Sequence, residues 1–154
     1  MKTKLIAMLA ILGSIWWVKP VAAYDPVQLQ QLLQTKQCGG CDLTNANLTG
    51  ANLSQAHLIG ADLTGANLRG SNLTGANLEG ADLTGANFEK ANLTRAFATN
   101  AIFNESNLTG ANLTNASLLH ANLRRANVSN TIFKNANLAG ADFTGSNYNL
   151  AIAD

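Results

Sequence analysis

Residues 61–85 read ADLTG ANLRG SNLTG ANLEG ADLTG, five consecutive copies of one five-residue unit with no insertion. The phase runs outward in both directions, from Cys41 to Leu150, giving 22 pentads followed by Ala151-Ile152-Ala153-Asp154. The first position is Ala in 17 pentads and otherwise Ser, Thr or Cys; the third is Leu in 15, with Phe at 88, 103, 133 and 143. The second is mostly Asn or Asp, the fourth often Thr, and the fifth is Gly in ten units and Asn in five. A period of five fits neither the alternation of a plain strand nor the 3.6-residue stripe of an amphipathic helix. Two inward residues in every five, one small and one large, imply a chain that turns once per unit. Gly or Asn at the fifth position suits the positive φ that the third residue of a type II turn requires. A turn every five residues closes a square after four units, so residues 20 apart stack. At a strand spacing of ~4.8 Å the array makes a rod ~26 Å long. One interior column is then Leu43, Leu63, Leu83, Phe103, Leu123, Phe143, and the next is Leu48, Leu68, Phe88, Leu108, Val128, Tyr148.

Units such as Ala61-Asp62-Leu63-Thr64-Gly65 and Ala76-Asn77-Leu78-Glu79-Gly80 resemble the pentapeptide-repeat family, and the resemblance covers essentially all of 41–154. It implies an all-β repeat solenoid, a right-handed quadrilateral β-helix. It implies no catalysis and no cofactor. Exported members of the family are abundant in cyanobacteria, in the periplasm or thylakoid lumen, and the lead-in Cys38-Gly39-Gly40-Cys41 is similar to theirs.

Composition agrees with a low-complexity array. Ala, Leu and Asn fill 68 of the 154 positions, and charged residues are 12%, about half the usual ~25%. Such bias excludes an ordinary mixed globular enzyme, and a net charge of +1 gives no global reason to bind nucleic acid.

The first 23 residues have the layout of a secretory signal peptide: Lys2 and Lys4, the apolar run Leu5–Val18, a break at Lys19-Pro20, then Val21-Ala22-Ala23 before the cleavage point. As a helix that run spans only ~21 Å, short of a ~30 Å hydrocarbon core, so no stable membrane anchor is expected after cleavage. Losing Lys2, Lys4 and Lys19 leaves seven basic residues against nine acidic ones, a net charge of −2. The expected organisation is therefore a signal peptide at 1–23, a capping helix and CxxC lead-in at 24–40, and the coil at 41–154. In the helix, Asp25 is the expected N-cap with Pro26 at N1 and Gln28 at capping-box spacing, and Tyr24 is placed to pack on Leu29. Leu29, Leu32 and Leu33 form its apolar stripe, and Gly39-Gly40 is expected to end it.

Candidate functional residues are few. Cys38 and Cys41 in an exported chain point to a disulfide tying the helix to the first coil, with a redox switch as the functional alternative. Asp42, Asp62, Asp82 and Asp142 share one face, readable as a recognition stripe or as inheritance from duplication of a 20-residue unit. Seven fifth positions lack Gly or Asn: Gln55, Lys90, Arg95, Glu105, His120, Arg125 and Leu150. Another turn type and local irregularity are expected there, with an exposed apolar spot at Phe97 and Ile102. Tyr148, Leu150 and Ile152 lie near an uncovered edge and predict a weak homodimer through the C-terminal end. No nucleophile–base pair, phosphate-cradling loop or metal-ligand set is present in the sequence pattern. The expected function is a non-catalytic exported scaffold for an unidentified protein partner. A redox-regulated binder is the alternative. Mimicry of DNA against a topoisomerase ranks lower, because duplex DNA carries one charge per ~1.7 Å and Arg124 and Arg125 sit on the acidic face.

Overall fold

The computed structural model describes residues 24–148. The expected signal peptide, together with Leu150 and Ile152 of the expected end contact, lies outside the described residues.

Every fifth residue bridges in parallel to the residue 20 further on, without a break from Gln37–His57 to Asn122–Asp142. No long strand forms, because each side of the square is only one bridge wide before the chain turns. We number the sides I to IV, side I holding 41–45, 61–65 and so on, and side IV holding 56–60, 76–80 and so on. The third-position column is enclosed as far as Leu123, with Leu43, Leu63, Leu83, Phe103 and Leu123 all 0% exposed; Phe143, expected at its end, is partly exposed. The first-position Ala residues bury beside them, and their small size lets the corners close. Ala98 leaves room in its column; in the same region Phe88 and Phe103 meet with ring centroids 5.6 Å apart, consistent with the close packing that cores require.

A simple bonding rule builds the coil. The first-position N–H closes the corner on the carbonyl three residues back, as Ala46 does on Leu43 at 2.9 Å. The third- and fifth-position N–H groups donate to the next coil, as Leu63 does to Asp82 and Gly65 to Thr84. The second-position N–H donates to the coil before, as Asp62 does to Cys41. The fourth N–H is left, and the second-position side chain takes it: the Asn67 amide oxygen accepts from Arg69 N–H at 3.2 Å and the Asn87 oxygen from Glu89 N–H at 3.0 Å. These are Asx turns. A fourth-position Thr adds its hydroxyl to the same oxygen, as Thr94 does on Asn92. The repeat consensus is thus a complete account of the backbone donors.

Two expectations about the coil need correcting. The six described corners without Gly or Asn use the same turn as the rest. Gln55, Lys90, Arg95, Glu105, His120 and Arg125 all have φ between 56° and 60°, and the ladder crosses 90–105 and 120–125 uninterrupted. Left-handed φ costs an L-residue about 1–2 kcal/mol. Each corner is nevertheless fixed by its own N–H bond to the next coil, for example Lys90 to Thr109 at 2.9 Å and Arg125 to Thr144 at 3.0 Å. The second correction is the start of the coil, which lies one pentad earlier than Cys41. Gln37 bridges His57, and Gly40 N–H donates to Ile59 O at 2.8 Å.

Helix α1 spans Pro26–Thr35 and closes the N-terminal end of the coil. Asp25 caps it, accepting from Val27 and Gln28 N–H, and Leu32 is fully buried against the coil. Leu33, assigned to the buried stripe from spacing, is 43% exposed. Gln28 does not close a capping box; its side-chain oxygen accepts from Asp42 N–H at 2.6 Å, and Asp25 N–H donates to Asp42 O. The helix ends at Lys36 in the left-handed region (φ 62°), before the Gly pair, which belongs to the first corner of the coil.

Candidate functional site

The coil displays its variable chemistry at the second and fourth positions, which point outward from each side. Side I carries the four aspartates. Asp42 bridges Asp62, and Asp62 bridges Asp82, so three stack in register; Ile102 and Asn122 separate Asp142 from them. Each one serves its own turn: Asp42, Asp62, Asp82 and Asp142 accept from the N–H of Thr44, Thr64, Thr84 and Thr144 at 3.1, 2.9, 3.0 and 2.8 Å. The Thr64 hydroxyl and backbone N–H hold the Asp62 carboxyl below its ordinary range, and Thr144 does the same for Asp142, with a smaller contribution from Arg124. Arg124 lies 3.6 Å from Asp142, and Arg125 lies 3.0 Å from Glu105. The acidic stripe therefore ends in compensated charge after three coils.

Cys38 and Cys41 are bonded to each other and enclosed. Cys38 takes the third, inward position of the first pentad at 1% exposure, and Cys41 takes a first position at 6%. The bridge closes the end of the coil beneath α1, with Cys38 Sγ 3.3 Å from Gln28 O. Tyr148 stacks on Phe143 at 4.1 Å and meets Phe133 edge-on at 5.5 Å, forming an aromatic platform on the last described coil. Among the described residues, no three His, Cys, Asp or Glu side chains converge to hold a metal ion.

The expected apolar spot is present, but its centre differs from the expected one. Phe97 is 55% exposed, whereas Ile102 turns the corner onto side I and is half-buried. Phe97 belongs instead with Ile59, 47% exposed, and with half-buried Leu119, all on side IV. At ~4.8 Å per coil this group extends over about 14 Å. Ile132, 49% exposed, stands alone on side III. The sequence signal for Ile59 and Leu119 is their position: both are fourth-position residues 60 apart, hence on one side of a 20-residue coil.

Side IV also departs furthest from the bonding rule. Every described second-position Asn or Asp up to Asp142 holds the fourth-position N–H. His57, Phe97, Ile102, Ser117 and Ile132 do not, and the N–H groups of Ile59, Thr99, Asn104, Leu119 and Lys134 find no protein partner among the described residues. Three of those five lie on side IV and none on side II. A backbone hydrogen bond is worth about 1 kcal/mol net, so side IV forgoes several kcal/mol of local stability while exposing Ile and Phe.

Comparison with known proteins places these observations. The family model for pentapeptide repeats (eight copies) matches residues 37–75, 61–97, 71–110, 81–118, 91–130 and 111–147. The chain is similar in structure to the pentapeptide repeat protein Rfr23 of the cyanobacterium Cyanothece 51142, with TM-score 0.77 and 27% identity, covering 80% of this chain and 98% of that one. It is also similar to a pentapeptide repeat protein of the Arabidopsis thaliana thylakoid lumen, with TM-score 0.58 and 33% identity, covering 79% and 74%. A third, from Nostoc PCC 7120, has TM-score 0.53 and 29% identity, covering 70% and 80%. Comparison with curated proteins finds no match.

Proposed function

The chain belongs to the pentapeptide-repeat family, and from that premise we propose that it is an exported, non-catalytic scaffold that holds a protein partner against side IV of its quadrilateral β-helix. The observation that carries this reading is that side IV holds two of the described coil's three exposed large apolar residues, Ile59 and Phe97, together with three of its five missing Asx turns. Apolar residues exposed singly are ordinary on a protein surface. Grouped residues that also cost backbone bonds fit a surface shaped for contact. Export rests on the layout of residues 1–23 and on the likeness to a thylakoid-lumen protein; periplasm and thylakoid lumen are the two compartments consistent with it.

The acidic side I has a sufficient local explanation in its Asx turns. Three carboxylates followed by compensated charge also make a poor copy of duplex DNA. A redox-regulated binder would need its sulfurs reachable by a dithiol reductant; burial of Cys38 and Cys41 favours a fastening role instead. The test is affinity capture from the native compartment with wild type, an Ile59→Asp/Phe97→Asp variant and an Asn67→Asp control on side II. A partner lost by the side IV variant alone supports the reading. A partner retained by it and lost by an Asp62→Lys/Asp82→Lys variant moves the site to side I. Intact mass of the mature protein tests export, with Tyr24 the expected first residue.

A further inference from the structure

The order of side chains along side IV reads nearly the same in both directions. Bridges from Gln37 through His57, Asn77, Phe97 and Ser117 to Asn137 set six levels in register. About the midpoint between Glu79 and Thr99, the fourth positions pair small Gly39 with small Ala139 and large apolar Ile59 with large apolar Leu119. Glu79 and Thr99 are the central pair. The second positions pair the amides Gln37 and Asn137, the polar His57 and Ser117, and Asn77 with Phe97. Ile59 and Leu119, like His57 and Ser117, belong to pentads that lack the Asx turn. At the flanking corners large residues answer glycines, Arg95 to Gly75, Asn100 to Gly80 and His120 to Gly60; Gln55 answers Asn115.

We propose that the partner held by side IV is a second copy of the same chain, packed antiparallel on the first about a two-fold axis that crosses the side between Glu79 and Thr99. This assignment rests on side IV being the contact face and names what it holds. An isologous contact requires a self-complementary surface, and a foreign partner imposes no such symmetry. Under this axis Ile59 meets Leu119 of the second copy twice over, Phe97 meets Asn77, and Arg95, Asn100 and His120 each stand over a glycine. A parallel pairing would set Ile59 against His57 and Leu119 against Ser117, apolar against polar. Charge fits as well. Glu79 and Arg95 are exposed and have no ion-pair partner among the described residues. The axis brings each Glu79 level with Arg95 of the other copy, which offsets the approach of the two Glu79 carboxylates one level apart. Three extended residues make the side about 10 Å wide, and five steps of ~4.8 Å make the matched stretch ~24 Å long. That area lies at the low end for protein contacts, so the dimer is expected to be weak and to form at high concentration.

Sedimentation and cysteine pairing of the mature chain test the contact. The mass of wild type is expected to rise with concentration from the monomer toward twice that value, and Ile59→Asp/Phe97→Asp is expected to stay monomeric. A mixture of Ile59→Cys with Leu119→Cys is expected to yield a covalent dimer on mild oxidation. Either variant alone is expected to yield none, because like positions then lie about 14 Å apart along the rod, beyond the ~7 Å reach of a disulfide. A wild type that stays monomeric to its solubility limit overturns the proposal, and that measurement needs no variant to fold. So does a mixture that forms no covalent dimer with the coil's circular dichroism intact, or one that forms no more than the single variants. Failure of the occupant is distinct from failure of the face. A monomeric wild type whose captured partner is lost by Ile59→Asp/Phe97→Asp keeps side IV as the contact face and removes only the second copy. Capture and dimer both unchanged in that variant remove the face as well.

Discussion

Replacing Asp42, Asp62 and Asp82 together separates a structural role for the acidic stripe from a recognition role. Each carboxylate accepts from the N–H two residues on, at 2.9–3.1 Å, and Thr44 and Thr84 add their hydroxyls at 2.8 and 2.6 Å. Asn keeps an acceptor oxygen in the same place and removes the charge; Ala removes both. At about 1 kcal/mol net for each main-chain bond, the triple Ala variant is expected to lose about 3 kcal/mol, the hydroxyls returning to water at little further cost. The triple Asn variant is expected to change by less than about 1 kcal/mol, because relief of the repulsion between carboxylates ~5 Å apart, up to about 1 kcal/mol per neighbouring pair in water, opposes loss of the bonds that favour the ionised Asp62. Denaturation in urea at low salt, which leaves the charges unscreened, measures both. Acid titration adds a second reading. Asp62 ionises more readily in the folded chain than at the ordinary aspartate value of 3.8, so the native state binds fewer protons than the unfolded one around that pH. The resulting stability is fully present above about pH 3.8 and is lost as pH falls through the lower native value. The Asn variant is expected to show a shallower acid limb than wild type. Triple Asn as damaging as triple Ala would refute the reasoning, since charge and not the acceptor would then hold the turns.

Other outcomes follow from the same structure. Leu83→Ala empties a fully enclosed site and is expected to cost about 2–5 kcal/mol in urea denaturation. Gly80→Ala meets nothing within 4 Å but keeps φ +62°, so it should cost about 1–2 kcal/mol from the left-handed backbone alone. Cys38→Ser/Cys41→Ser is expected to cost about 2 kcal/mol, and any reduced fraction of the wild type should react with iodoacetamide only after unfolding, because both positions are enclosed.

The square coil and its interior columns were legible because one rule repeats 22 times, and period five with one small and one large inward residue has few geometric solutions. The corners at Lys90 and Arg125 were not. Local propensity argues against left-handed φ at such residues, while the bonds that enforce it come from Thr109 and Thr144 in the next coil. The same non-local cause moved the start of the coil. Lys36-Gln37-Cys38-Gly39-Gly40 does not match the consensus, yet it lies below His57 and Ile59, whose carbonyls accept from Cys38 and Gly40. Gln28 likewise looked like half of a capping box until the coil edge offered it Asp42 N–H. Side IV was only partly legible. Phe97 stood out as an apolar residue at an Asn position, but Ile59 and Leu119 join it only once the 20-residue register is imposed on the fourth positions.

A repeat in which nearly every backbone donor is accounted for makes its own exceptions informative. On side II the described second positions are all Asn, and the side keeps its Asx turns at Asn47, Asn67, Asn87, Asn107 and Asn127. Random drift would scatter the losses evenly around the square. Three of the five fall on side IV, at His57, Phe97 and Ser117, against one on side I, one on side III and none on side II, and on side IV Ile59 and Leu119 also supply apolar fourth positions. Phe97 keeps more than half of its surface in water, so interior packing recovers only part of what its missing turn forgoes. Stability alone therefore does not select this side's composition, whereas a partner that covers Ile59 and Phe97 would recover the difference by removing their exposed apolar area from water.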